Sequence, residues 1–424
     1  MINKILPGTT VKVEAGSREA QSSVSGVVAM ALSLDWGAKL TRITKGSDTL
    51  ETLGRRLESA EMKLVNEVMN HANELILYRL NSGTQASGEL ASGITAKAVY
   101  GGSLGNQIKV VVEKAGERWK VRTYLGTAEV DSQTVAAPAD LVPNSFVTFE
   151  VAEETALSAK SVSLASGTDT AETGDDTDAF FAELEKLEYN VLCYTGTDTD
   201  LLARYTAFVG AQRAGETLIQ AVFSGEGFDS SAIYNNTVGG KTASYELSAA
   251  EACATMAGIL AKCGVEQSAT GYSDVTGWTE VSPKLTRSQM EEKTLDGEIL
   301  FVDQNGIRVL YDINSLTTFS AGQPEDFRKG LVMRTLDHYA ADLRKLLDTR
   351  AVGKIRNSVG GRNQIKGMVF DMTVKNYLDP AYIEGFGADD IAVEEGDTRD
   401  SVKVTAGVRV TDTVDKIYLT IVSL

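Results

Sequence analysis

The segment Asp415–Leu424, DKIYLTIVSL, constrains the chain more than any other. Alternate residues of a strand face opposite sides. Ile417, Leu419 and Ile421 therefore share one face, and Tyr418, Thr420 and Val422 the other. Chain ends are ordinarily polar and frayed, whereas here a β-branched, apolar strand runs to the last residue. A bare strand edge of this composition is a template for aggregation. The fold must supply it with a partner: a sheet of its own chain, or a strand of another molecule. The residues alone leave both open.

Length and composition narrow the classes. At about 150 residues per domain, 424 residues suggest roughly three domains. A content of 43% hydrophobic and 23% charged residues is ordinary for a soluble globular chain. No apolar run approaches the roughly 20 residues of a membrane helix, so no direct membrane insertion is expected. The opening MINKILPGTTVKVEAG has no continuous apolar region of the secretory type, which suggests synthesis in the cytosol without export by that route. Cys193, Cys253 and Cys263 form no C-x-x-C pair and read as reduced, buried thiols. The two histidines, His71 and His338, are too few for a zinc site or a histidine-based triad.

The net charge of −17 argues against nucleic acid as a main partner. The charge is uneven, however. Between Arg328 and Lys366 stand ten basic residues and three acidic ones, a local excess of seven that leaves −24 elsewhere. Arg344, Lys345, Lys354, Arg356 and Arg362 are the candidate basic assembly surface. They form either a solvated helix face or a surface that meets an acidic partner, a second copy of this chain included.

The pattern along the chain is mixed α/β. Residues 24–34 read as a buried strand, and helical spacing predicts a helix from about Glu58 to Leu80. Short alternating runs between about 94 and 165 read as an antiparallel β unit. Residues 178–223 read helix, strand, helix, strand, with the near-continuous apolar runs of a parallel sheet covered on both faces. Asp178 is the expected cap of the first of these helices. A helix is expected at 248–263, and a hairpin around Asn305-Gly306. Helices follow from about Glu325 to Asp348 and near 362–378. The tail holds two strand candidates, SVKVTAGVRV and the terminal one.

Chemistry-bearing motifs are scarce. SGEGFDSS at 224–231 follows a strand but lacks the third glycine of a dinucleotide loop and the lysine of a P-loop. GGSLGN at 101–106 reads as a loop between strands. Asp175-Asp176 and Asp389-Asp390 are possible carboxylate pairs, and such clusters usually lie in solvated loops. Trp36, Trp119 and Trp278 show no stacking period and read as packing residues. No cofactor is indicated.

Three stretches resemble the tail sheath proteins of contractile phages and phage-tail-like particles, particularly the shorter Gram-positive type. ITAKAVYGGSLGNQIKVVV (94–112) is similar to the family's strand, glycine-rich turn and Gly-Asn-x-Ile strand. GIRVLYDINSLTTF (306–319) carries Ile313, Asn314, Leu316 and Thr317 of an Ile-Asn-x-Leu-Thr motif. Residues 332–369 carry Arg334, Asp337, Gly353, Lys354, Asn357 and Arg362 of an Arg-x-x-Asp helix, a Gly-Lys-x-x-Asn turn and an arginine opening the next helix. IYLT at 417–420 matches too, with Asp415 where glutamate is the common form.

The resemblance implies a non-enzymatic subunit that polymerises helically around an inner tail tube and contracts. Baseplate and tail terminator proteins would be further partners. Assembly would take place in the host cytoplasm, and the product would be a virion or released tail-like particle. It implies an extended arm (1–18), an outer α/β domain (19–269) with the β-rich insertion, and a C-terminal core domain (270–424) with a donated strand. Linking residues would be Val11 and Val13 of the arm and Ile417, Tyr418, Leu419, Thr420, Ile421 and Val422 of the tail, added to sheets of neighbouring subunits. Head-to-tail contacts that do not close give helical filaments. The alternatives are an α/β enzyme using carboxylates and another self-assembling tube or shell protein.

Overall fold

The computed structural model describes residues 26–422; Val11 and Val13 of the expected arm lie outside them. The apolar runs determine the centre of the molecule. A strand that is apolar at every position is stable only when both faces of its sheet are covered. Val27–Leu32 and Val191–Cys193 are such strands, and Gln220–Phe223 is one after its first residue. They lie in a seven-stranded sheet ordered 298–299, 233–236, 220–223, 191–193, 27–32, 74–79, 40–44. All neighbours are parallel except the edge strand Leu40–Thr44, which runs antiparallel to Glu74–Arg79.

Alternation divides the strands between two cores. Val28, Met30, Leu75, Leu77, Val191 and Val222 face one side, packed under the helices Lys63–Met69 and Ala249–Cys263. Val27, Ala29, Ile76, Tyr78, Leu192 and Phe223 face the other, under Gly174–Leu184 and Thr199–Ala214. The helix 249–263 crosses 63–69 closely at Gly258, where a Cβ would lie 2.7 Å from the Val68 carbonyl oxygen. All three cysteines are free and buried, and burial pushes the Cys263 thiol up to about 11.

Residues 83–169 form two four-stranded sheets packed face to face around Ile94, Val110, Val121 and Val147. Trp36, from the central body, is fully buried against this core, with its ring centroid 5.2 Å from that of Tyr100. Residues 278–309, which the sequence reading groups with the C-terminal portion, pack here in the first core. Glu298–Ile299 closes the central sheet, and the hairpin Phe301–Asp303/Ile307–Val309 turns at Asn305-Gly306 as expected.

Three local expectations are corrected. The helix expected over 58–80 is a short helix, Lys63–Met69, followed by the strand Glu74–Arg79. The apolar residues match a helical spacing up to Val68. Leu75 to Tyr78 are then buried at every position, however, as a strand covered on both faces of its sheet requires. Thr173 rather than Asp178 precedes the helix 174–184; Asp176 accepts from the Thr173 N–H at 2.9 Å, and Asp178 pairs with Arg204. SVKVTAGVRV is two strands, Val402–Ala406 against Ile391–Glu395 and Arg409–Val410 against Ile383–Glu384.

The long helix Gly330–Arg350 carries the chain from the central body to a smaller C-terminal body. That body contains the helix Val359–Thr373 and the two-stranded pairs just described, with cores around Val369 and Tyr377. Two polar anchors hold the first half of the long helix. Arg334 is fully enclosed: it meets Asp312 at 2.7 and 3.1 Å, Tyr234 Oη at 3.1 Å, and the carbonyls of Gly264 and Gln267 at 2.7 and 3.2 Å. Asp312 also accepts from the Ala269 N–H at 2.9 Å. Burial opposes both charges. The mutual attraction prevails, holding the carboxylate below its usual range and the guanidinium above. One turn on, Asp337 accepts two bonds from Arg213, at 2.9 and 3.0 Å, and one from Gln220 at 2.8 Å.

Breaking a buried pair strands the remaining charge. Asp312→Ala should therefore cost about 3–5 kcal/mol in chemical denaturation, and the double replacement Asp312→Leu with Arg334→Met distinctly less.

A second prediction concerns His71, which is inaccessible between the helix 63–69 and the strand 74–79. Its Nδ1 lies 3.4 Å from Tyr272 Oη, whose own partner is Lys262. Burial, reinforced by Lys262, lowers the imidazole pKa to about 4. The unfolded chain takes up this proton near pH 6.5, so between the two values it binds more protons than the folded chain. Stability from this group is present above about pH 6.5 and is lost towards pH 4, by up to about 3 kcal/mol. Denaturation at about pH 7 and about pH 5 should show a fall that His71→Gln reduces.

Candidate assembly site

The terminal segment leaves the body at a defined point. Arg409–Val410 is paired with Ile383–Glu384, and the Thr411 N–H donates to the Tyr382 carbonyl at 3.0 Å. Asp412 and Asp415 then both reach Lys329, the residue that precedes the long helix. Asp412 lies at 3.1 Å, and Asp415 forms a short ion pair. The Lys329 ammonium sits 4.4 Å from the centre of the Tyr311 ring and 3.2 Å from its hydroxyl. Burial acts to lower the Lys329 pKa, but hydrogen bonds to Asp415, Tyr311 and Asp412 outweigh it and the net shift is upward. Lys416 lies over the same ring at 5.8 Å.

Beyond this point the side chains become exposed. The Asp415 side chain is 8% exposed, whereas Ile417 is 81% and Tyr418 92% exposed. Leu419, Ile421 and Val422 are also exposed, and 411–422 carry no strand. Among the described residues the segment rejoins no sheet of its own chain. Hydrophobic side chains displayed contiguously in this way mark an interaction surface.

The basic residues separate into two groups. Arg362 is structural: it donates to Asn357 at 2.8 Å and pairs with Glu395 at 3.1 Å, while Asn357 holds the carbonyls of Arg399 and Ser401. Together they fasten the start of helix 359–373 to the hairpin 391–406. Arg344 pairs with Glu216 on the central body at 2.6 Å, and Lys354 donates to the Thr349 carbonyl. Lys345 and Arg356 are exposed and form no ion pair among the described residues.

The other candidates serve the fold. Asp229, from the loop 224–231, accepts the N–H groups of Thr317 and Thr318 at 2.7 and 3.1 Å and ties that loop to the Ile-Asn-x-Leu-Thr segment. Asn314 of that segment bonds the carbonyls of Ser231 and Phe327 at 3.0 and 2.7 Å. Asp390 caps a turn through the Gly387 N–H at 2.7 Å. GGSLGN holds the short 3-10 turn Ser103–Gln107, with Gly102 at φ 144°, a backbone conformation L side chains rarely adopt. Sequence reasoning missed Lys329, Tyr311, Asp412 and Asp415. The available signal was two acids three residues apart immediately before an apolar run, with a lysine at a helix start to receive them.

Three descriptions of known proteins cover consecutive parts of the chain. Residues 25–80 match the tail sheath protein Gp18 domain III N-terminal region. Residues 81–173 match the phage tail sheath protein beta-sandwich domain, and 170–315 the phage tail sheath protein central domain. The phage-like element PBSX protein XkdK of Bacillus subtilis is 29% identical, covering 95% of this chain and 94% of its own. The sheath tail protein of Desulfitobacterium hafniense superposes with a TM-score of 0.83 at 29% identity, covering 97% of this chain and 99% of that one. That of Listeria innocua superposes with a TM-score of 0.82 at 27% identity, covering 93% of each. With three successive sheath domains in order and this agreement of fold, the chain belongs to the phage tail sheath family.

Proposed function

We propose that this chain is the repeating subunit of a contractile sheath. It polymerises helically around an inner tube and contracts to drive that tube through a cell envelope, without catalysing a reaction. The observation that carries the reading is the apolar segment Ile417–Val422, exposed and, among the described residues, outside any sheet. Its natural partner is a sheet with an open edge. The C-terminal body offers two, the pairs 391–395/402–406 and 383–384/409–410, each of only two strands. Addition of Ile417–Val422 from one subunit to such an edge on the next would satisfy the backbone of both. Val11 and Val13, in the arm 1–18, would make a second link of the same kind.

In this scheme the linking mesh falls within 270–424, and the remainder of 19–269, with its β-sandwich, stands outside it. Baseplate and terminator proteins would bound the polymer. It would be built in the host cytoplasm and released with the virion or tail-like particle. Contraction would be a rigid-body rotation of subunits, with the donated strands keeping neighbours connected. Lys345 and Arg356, exposed and without an ion pair among the described residues, are the part of the basic surface available to an acidic neighbour or tube.

Electron microscopy of the concentrated chain, beside a version ending at Val414, tests the link. Tubes are expected from the full chain and discrete folded particles from the shorter one; tubes from both would overturn the strand link. The basic surface has its own test. Raising salt from about 0.1 M to about 1 M shrinks the screening length from about 10 Å to about 3 Å. The tubes should then dissociate, and Lys345→Glu with Arg356→Glu should lower the salt concentration at which they do. Tubes indifferent to both would remove the electrostatic contact.

A further inference from the structure

Lys329 stands where three parts of the molecule meet. Its backbone is fixed first. Lys329 bridges to Ile313, the Asn314 N–H donates to the Arg328 carbonyl at 3.0 Å, and the Gly330 N–H donates to the Asp312 carbonyl at 3.0 Å. Asp312 is the buried partner of Arg334, so this backbone is tied directly to the most enclosed ion pair described. The side chain is fixed second, against the face and hydroxyl of Tyr311. The terminal segment is fixed third, by two carboxylates on one ammonium. Thr413 Oγ1 donates to the other Asp415 oxygen at 2.9 Å and sets the turn between the two acids.

We propose that Lys329, with Tyr311, Asp412 and Asp415, is the latch that sets where and in which direction the linking segment leaves the subunit. The proposal rests on the reading of Ile417–Val422 as an intersubunit strand and adds the device that positions it. Two consequences follow from the geometry. First, residues up to Asp415 are ordered before any neighbour arrives, so capture has only the segment beyond to order. A short anchored segment also stays near its target at a higher effective concentration than one free from residue 411 onward. Second, the latch is built on the start of the long helix and not on the small sheets of the C-terminal body. A rotation of the central body therefore moves the root of the strand with it.

A positioning role can be separated from a structural one by charge reversal. Asp415→Lys places two ammonium groups together and should release the segment. Lys329→Glu with both Asp412→Lys and Asp415→Lys, a fully reversed pair of opposite charges, restores the attraction without leaving Asp412 against a second carboxylate. A dye on Val422→Cys reports the segment's motion in dilute subunits, since the three native cysteines are buried. Asp415→Lys should raise the fast component of its anisotropy decay, and the reversed pair should bring that component back. Under the conditions in which the unlabelled parent forms tubes, Asp415→Lys should lower sedimentable polymer about tenfold, from the reduced effective concentration of the strand. The reversed pair should recover it, with thermal unfolding unchanged throughout.

Unaltered anisotropy in Asp415→Lys would overturn the latch. Anisotropy that changes while polymer yield does not would also overturn it, provided truncation after Val414 abolishes polymer; the link would then stand without its latch. Polymer that survives truncation would overturn the link itself, and the assembly role of the latch with it.

Discussion

The pair formed by Arg334 and Asp312 is the contact on which the rest of the molecule depends. A guanidinium and a carboxylate buried this deeply are tolerable only when every donor and acceptor is met, and here they are. Arg334 bonds to two carbonyls, a phenol and the carboxylate. Those partners come from the strand 233–236, the turn after helix 249–263 and the segment 312–314. The pair therefore assembles the end of the parallel sheet, its covering helix and the root of the long helix into one rigid joint. Hydrophobic contacts tolerate sliding; a five-donor fork with fixed acceptors does not. In the proposed contraction, where each subunit would rotate as a body, this restriction would be useful.

The same joint explains the arrangement of the C-terminal region. The first half of the long helix is buried on the central body and the second half emerges, with Arg344 held at the surface by the carboxylate and the carbonyl of Glu216. Exposed pairs of that kind contribute little. The strong constraint is thus concentrated at residues 330–339, and the smaller body is attached through the emergent half of the helix. Its two-stranded sheets gain stability from packing against helix 359–373 rather than from their own ladders. Among the described residues they keep open edges, which in the proposed assembly a strand of another chain would complete.

Legibility in the sequence followed the range of the interactions. The parallel sheet, the Asn305-Gly306 hairpin and the helices 249–263 and 330–350 rest on local periodicity and were readable. The segment 58–80 was misread because no glycine or proline marks the change at His71–Asn73, and Leu64, Val68, Leu75 and Tyr78 satisfy a helical spacing by coincidence. The basic cluster was visible as charge. That Arg334 is buried against Asp312 and Arg362 pairs with Glu395, while Lys345 forms no ion pair among the described residues, depends on the folded arrangement, which charge counting cannot reveal. The Lys329–Asp415 contact spans 86 positions. Motif resemblance suggested a linking role for the terminal segment; no local pattern suggested the lysine that meets its acids.

Magnitudes show why an anchor matters to such a link. Burying Ile417, Leu419, Ile421 and Val422 on a neighbour would gain roughly 2 kcal/mol each, on the order of 8 kcal/mol together. Ordering the backbone of six residues costs roughly 1–2 kcal/mol per residue, a sum of the same size. A strand donated by a wholly free tail would therefore be only marginally held. A tail already ordered through Asp415 avoids the cost for the residues before it, and repetition along a helical lattice multiplies whatever surplus remains. A link of this kind holds neighbours together through many weak, reversible attachments. It can then survive a rearrangement in which the globular contacts between subunits are broken and remade, because no single attachment has to bear the whole change.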